Sequence, residues 1–202
     1  MNTFLNLKFQ ESRFLKNIDQ FKKMDKAKII KAYKLAKKYH SGQKRDEGGP
    51  YLLHCLRVAC LIIEELDIKD SSVICAAILH DSVEDTKLTL EEIKEKFGIK
   101  TSELVSNLTR NRSEETELNK YKHKYKKFKE TMKKDWETRA IKACDYLDNM
   151  MSWSFIPEYH PSRNKFPRWF TEAETMYIPL AKSVDRELVI KMKKVLISIK
   201  GT

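Results

Sequence analysis

Residues 73 to 79 read Val-Ile-Cys-Ala-Ala-Ile-Leu, and His80, Asp81, Glu84 and Asp85 follow almost at once. With Asp70-Ser71-Ser72 as a cap, this run predicts a helix that is apolar on nearly every face. Such a helix belongs at the centre of a bundle, and it delivers four ionisable groups at its end. Charges buried there without compensation are costly. A divalent cation supplies the compensation, because imidazole nitrogen and carboxylate oxygen together suit Mn²⁺, Fe²⁺, Zn²⁺ or a similar ion.

The rest of the chain favours helices. Only five Gly and five Pro occur in 202 residues, among abundant Lys, Glu, Leu, Ile and Ala, which predicts an all-α fold. The length suits one domain over residues 1–202, with its core at about 25–190. The longest apolar runs, Val58 to Ile63 and Val73 to Leu79, fall far short of the ~20 residues of a membrane span. Met1 to Phe9 lacks the pattern of a secretory leader, so a cytoplasmic location is expected. Cys55, Cys60, Cys75 and Cys144 stand singly among apolar neighbours and read as reduced, buried thiols. The net charge of +11 fits a polyanionic partner, either nucleic acid or a phosphate-rich small substrate.

Along the chain, residues 4 to 40 predict one or two helices, ending at Ser41-Gly42. Gly48-Gly49-Pro50 stops any helix before a new one from about Tyr51 to Leu66. Thr89 with Glu91-Glu92 starts a helix to Phe97-Gly98, and Thr101 to Leu108 forms another. The polar stretch from Asn111 to Lys134 contains a basic run interleaved with aromatics, Tyr121 to Lys127, readable as a solvated helix face or an anion-steering surface. Residues 135 to 151 are helical again, Pro157, Pro161 and Pro167 mark an irregular connection, and Thr171 to Ile199 closes the fold with helices interrupted near Pro179.

Two further metal ligands are needed. The best candidates are His54, at a helix start after Pro50, and Asp145, within Ala143-Cys144-Asp145. Alone, His54 reads as a core histidine; together with His80, Asp81 and Asp145 it reads as a ligand. Glu84 and Asp85 lie four residues beyond His80 and Asp81, one turn further along, where a carboxylate serves a water better than the metal.

These residues carry a resemblance. The segments His40-Ser41-Gly42-Gln43-Lys44-Arg45, Gly48-Gly49-Pro50-Tyr51-Leu52-Leu53-His54, Ala76 to Thr86, Phe97-Gly98, Leu108-Thr109-Arg110, Ile141 to Asp145 and Glu174 to Ala181 stand in the order found in HD-domain hydrolases of the RelA/SpoT homologue family. The chain resembles the small stand-alone alarmone hydrolases in particular, over roughly residues 30 to 187. The resemblance implies a helical HD-domain bundle in which His54, His80, Asp81 and Asp145 bind Mn²⁺ or another divalent cation and Glu84 and Asp85 serve the attacking water. It implies removal of the 3′-diphosphate from guanosine tetra- or pentaphosphate. Arg45 matches a position that packs on the purine, Asn149 one near the ribose, and Lys44 and Ser152 complete the substrate-binding set.

The sequence departs from the family on the substrate side. Asp46-Glu47 follow Arg45, and carboxylates there repel a polyphosphate unless they face solvent. Tyr146, Asp148 and Met151 replace the family's usual residues, and Cys55 replaces a Pro. Two other readings keep the scaffold. One is a metal-dependent phosphohydrolase of another nucleotide, an adenine alarmone or NADPH; the other is a protein with little turnover that binds a nucleotide or RNA through Lys120 to Lys134.

Overall fold

The computed structural model describes residues 3–111, 113 and 115–201, and among them it holds helices and no strand, an all-α architecture. Two compact units are present, the first ending at Thr109 and the second beginning at Arg110.

The first unit contains α1 (Leu7–Ile18), α2 (Lys23–Tyr39), α3 (Leu52–Leu66), α4 (Ser71–Leu79), the single turn α5 (Ser82–Asp85), α6 (Leu90–Phe97) and α7 (Ile99–Leu108). Residues 4 to 40 thus form two helices, separated by a turn in which Phe21 is buried. The central helix is α4, packed against α2, α3 and α7. Every residue from Val73 to Leu79 is buried, which is why no polar face was visible in its sequence. Asp70 caps it, its side chain accepting the Ser72 N–H at 2.7 Å, while Lys100 donates to the other carboxylate oxygen at 2.9 Å. Burial of α3 is equally complete from Leu52 to Ile63, and that helix ends on Asp67 in the left-handed conformation. Gly98, at φ +88°, links α6 to α7 with a single residue, so α7 begins two residues before the expected Thr101.

The second unit contains α8 (Lys120–Thr131), α9 (Trp136–Trp153), a 3₁₀ turn at Pro161–Lys165, α10 (Phe166–Glu172), a π turn at Ala173–Tyr177, α11 (Ile178–Lys182) and α12 (Arg186–Lys200). Its central helix is α9, packed on α11 and α12. Asp135 and Asp185 cap α9 and α12 through the N–H groups of Thr138 and Leu188. The expected interruption near Pro179 takes the form of a widened turn rather than a break in the helix. In the turn before Pro179, Ile178 N–H bonds to Ala173 O five residues back, and this widening accommodates a proline that lacks an N–H and would crowd the carbonyl of a regular helix. The chain breaks instead at Ser183 to Asp185. Trp153 stacks on Trp169 at 5.4 Å, and Tyr146 on Tyr177 at 3.9 Å.

No described helix is long and apolar enough to cross a membrane. All four cysteines are free and buried, as their neighbours indicate, and burial pushes the Cys75 thiol up to about 12.

Asp70 carries a testable consequence. Burial opposes its ionisation, but Lys100 and the Ser72 N–H outweigh that and lower its pKa, so its contribution is full above the ordinary carboxylate range and fades as pH falls through the lowered folded value. Asp70→Ala should cost about 1 kcal/mol in urea unfolding at pH 7, and the gap to the parent protein should shrink at acid pH.

Candidate metal centre

The centre is built where α3 begins and α4 ends. His54 lies in the first turn of α3 and His80 follows the last residue of α4; both rings are buried. His54 Nε2 lies 3.2 Å from His80 Nε2 and 3.6 Å from Asp81 Oδ2, and His80 Nε2 lies 3.1 Å from the same oxygen. Ligands about 2.1 Å from one ion are separated by roughly 3.0 Å along an octahedral edge and 3.4 Å along a tetrahedral one, so this spacing fits a first-row divalent cation. His80 Nδ1 donates to Ala77 O at 2.8 Å, which fixes the ring and leaves Nε2 as the ligating lone pair of the neutral form. Burial opposes ionisation of Asp81, but the adjacent His80 and His54 hold its carboxyl well below the usual range. His54, His80 and Asp81 can therefore hold a divalent metal together.

Tyr51, the residue before α3, is part of this arrangement. Its hydroxyl is 2.5 Å from Asp81 Oδ2 and 3.0 Å from Asp85 Oδ2. Burial and then the two carboxylates raise its pKa far above the ordinary phenol value, so it stays a proton donor. His40 stacks on the Tyr51 ring at 4.7 Å and contacts Gln43 Oε1 at 2.7 Å and Ser82 Oγ at 3.1 Å. Burial lowers its pKa and keeps it neutral. Gln43 Nε2 donates to Asp85 O, which ties the loop before α3 to α5. Glu84 and Asp85, on α5, are half-buried, and Asp85 N–H bonds to Asp81 O one turn back.

In the second unit, Asp145 is buried on α9, with Lys142 donating to Oδ2 at 2.7 Å and Asn149 to Oδ1 at 2.6 Å. Ser152 is buried and donates to Asn149 O. Residues 142, 145, 149 and 152 follow helical spacing along one face of α9. Tyr146 stacks on Tyr177, and burial, with Asp145 and Glu172 nearby, pushes its pKa up to about 12. Asp148 is fully buried. The basic run divides between two faces of α8. Lys122, Lys126 and Lys129 are exposed, whereas Lys120 and Lys124 line a cavity of about 300 Å³ with Arg110, Glu115, Lys165, Arg168 and Trp169.

The family model described as HD domain matches residues 32–185. The chain belongs to the HD-domain family. Over 160 residues this HD-domain chain is 38% identical to a guanosine-3′,5′-bis(diphosphate) 3′-pyrophosphohydrolase of Aquifex aeolicus, covering 76% of the chain and 21% of that protein. It is 34% identical over 160 residues to a GTP pyrophosphokinase of Streptomyces coelicolor, covering 76% and 17%. The chain thus spans about a fifth of the length of the curated relatives it matches. Among solved structures it is similar to one described as a metazoan orthologue of SpoT that hydrolyses ppGpp and plays a role in starvation responses, with a TM-score of 0.76, 25% identity, and coverage of 85% of this chain and 95% of that one.

The loop before α3 gives the HD-domain chain its least expected feature. Lys44 is exposed and Arg45 half-buried. Glu47 does not face solvent, as the sequence requires if it is to avoid a polyphosphate; it is buried between Arg45 and Arg57. The charge is compensated from within.

Asp81→Asn and His54→Gln should each lower bound divalent metal, measured by elemental analysis after dialysis, by more than the ~10–100-fold in affinity that loss of a supporting hydrogen bond costs. Tyr51→Phe should retain the metal.

Proposed function

We propose that this chain hydrolyses the 3′-diphosphate of guanosine tetra- or pentaphosphate, yielding GDP or GTP and pyrophosphate, with Mn²⁺ held by His54, His80, Asp81 and Asp145. The observation that carries this reading is the convergence of three ligand atoms within 3.1–3.6 Å of one another, followed one turn later by Glu84 and Asp85. The names of the Aquifex relative and of the metazoan structure support the substrate. The family match across both units supports treating residues 1–202 as one HD-type domain.

When bound, the cation supplies positive charge to a phosphoryl oxygen and makes a nearby water more acidic. One carboxylate of the Glu84 and Asp85 pair accepts the proton of that water as its oxygen attacks the phosphorus attached to O3′, and returns it to O3′ as that bond breaks. The O3′–P bond breaks, O3′ takes up a proton, and pyrophosphate leaves. Tyr51 has one proton for two carboxylates; donated to Asp81, the closer partner, it leaves Asp85 able to accept from water. The Arg45 guanidinium packs on the purine, Lys44 meets the phosphates, and Asn149 and Ser152 line the ribose side.

The test is chromatography of guanosine tetraphosphate incubated with the protein and Mn²⁺, with and without chelator. The parent protein should form GDP and pyrophosphate only without chelator. Glu84→Gln should keep its metal and lose about 10²–10⁴ in turnover. Turnover by Glu84→Gln at the parent rate, or metal lost from it as from Asp81→Asn, would refute these roles.

A further inference from the structure

We propose that Glu47 is a positioning residue for Arg45: its buried carboxylate holds the Arg45 guanidinium by its Nε edge, in the attitude that packs against the purine, with Arg57 and Phe4 as the fixed support behind it. This inference rests on the substrate reading above and deepens it.

Glu47 Oε1 accepts from Arg45 Nε at 2.9 Å and from Arg57 Nη2 at 3.3 Å. The Glu47 and Arg57 side chains are each 2% exposed. A carboxylate at that depth without a cation is costly, and two guanidinium groups on one oxygen offset the cost. Arg57 has little freedom of its own. Its Nη1 donates to Phe4 O at 3.1 Å, and its Cζ lies 3.8 Å from the centre of the Phe4 ring.

The backbone brings these groups together. Arg45 N–H bonds to Gly49 O at 2.9 Å, and Gly48 N–H to Arg45 O at 2.8 Å. With Gly48 at φ +88°, this tight turn folds Glu47 back beside Arg45. A hydrogen bond at Nε lies in the guanidinium plane and uses neither face; the Tyr51 ring centre lies 5.6 Å from Arg45 Cζ, so the purine would stack on the face turned away from Tyr51. An arginine already held in this way loses less freedom when a nucleotide arrives. The charge of this carboxylate is thus turned toward Arg45 and Arg57.

The experiment is steady-state kinetics on guanosine tetraphosphate with Mn²⁺ for the parent protein, Glu47→Gln, Arg45→Ala and the double variant, with bound metal measured in each. Glu47→Gln should raise KM about tenfold, with kcat within about twofold and metal content unchanged. In the Arg45→Ala background it should raise KM no further, an outcome that general loosening of the fold would not produce. Should the uncompensated Arg57 stop Glu47→Gln from folding, Glu47→Gln with Arg57→Met carries the same test without that buried charge. A parent KM in Glu47→Gln, or an equal rise with and without the Arg45 side chain, would overturn the positioning role alone. A metal-loaded parent protein without turnover would overturn the substrate reading and this role together.

Discussion

Ionisable groups placed at the end of a wholly buried helix must be answered by other groups, and much of the first unit is arranged around that requirement. Nothing polar interrupts α4 between Val73 and Leu79, so beyond its Asp70 cap the helix is docked by apolar burial until it reaches His80. The first turn of α3 returns His54 to the same point, and Asp81 supplies the negative charge. Tyr51, His40 and Gln43 then satisfy the outer edges of the group. These partners come from the loop between α2 and α3 or from its borders, which makes that loop part of the centre.

The second unit answers its own buried charge with the same chemistry. Glu172 is fully buried, yet Lys124 Nζ lies 2.6 Å and Tyr177 Oη 2.8 Å from its Oε2, and Arg168 Nη1 lies 3.5 Å from Oε1. The network joins α8, α10 and the turn that follows. Lys124 therefore belongs to the interior as much as to the basic surface its sequence suggests, and burial pulls its pKa down against the pull of Glu172.

Legibility followed periodicity and chemical type. The apolar runs of α3 and α4 are legible by their patterning, and His80 and Asp81 because ionisable groups end such a run; His54 reads as a ligand only in their company. The part played by Tyr51 is not legible in the sequence, since a tyrosine beside Pro50 shows no period and its partners Asp81 and Asp85 lie 30 and 34 residues away. The pairing of Glu47 is hidden for a related reason: its partner Arg57 lies inside an apolar helix, and the turn at Gly48 brings the two together. Along α8 the alternation of Lys with aromatics hid the split between an exposed face and one turned to a cavity. Pro179 marks an interruption because a proline stops a regular helix; that a widened turn admits it is not legible in the sequence.

That widened turn sets a rotational phase. Each residue of an α-helix advances the direction of its side chain by about 100°, and the wider turn at Ala173–Tyr177 takes up one residue more than a regular turn does. Leu180 and Ala181, both fully buried, point into the core because the extra residue has been counted before the chain reaches them. Deleting one residue between 173 and 177 would restore a regular turn and swing those two side chains away from the core face.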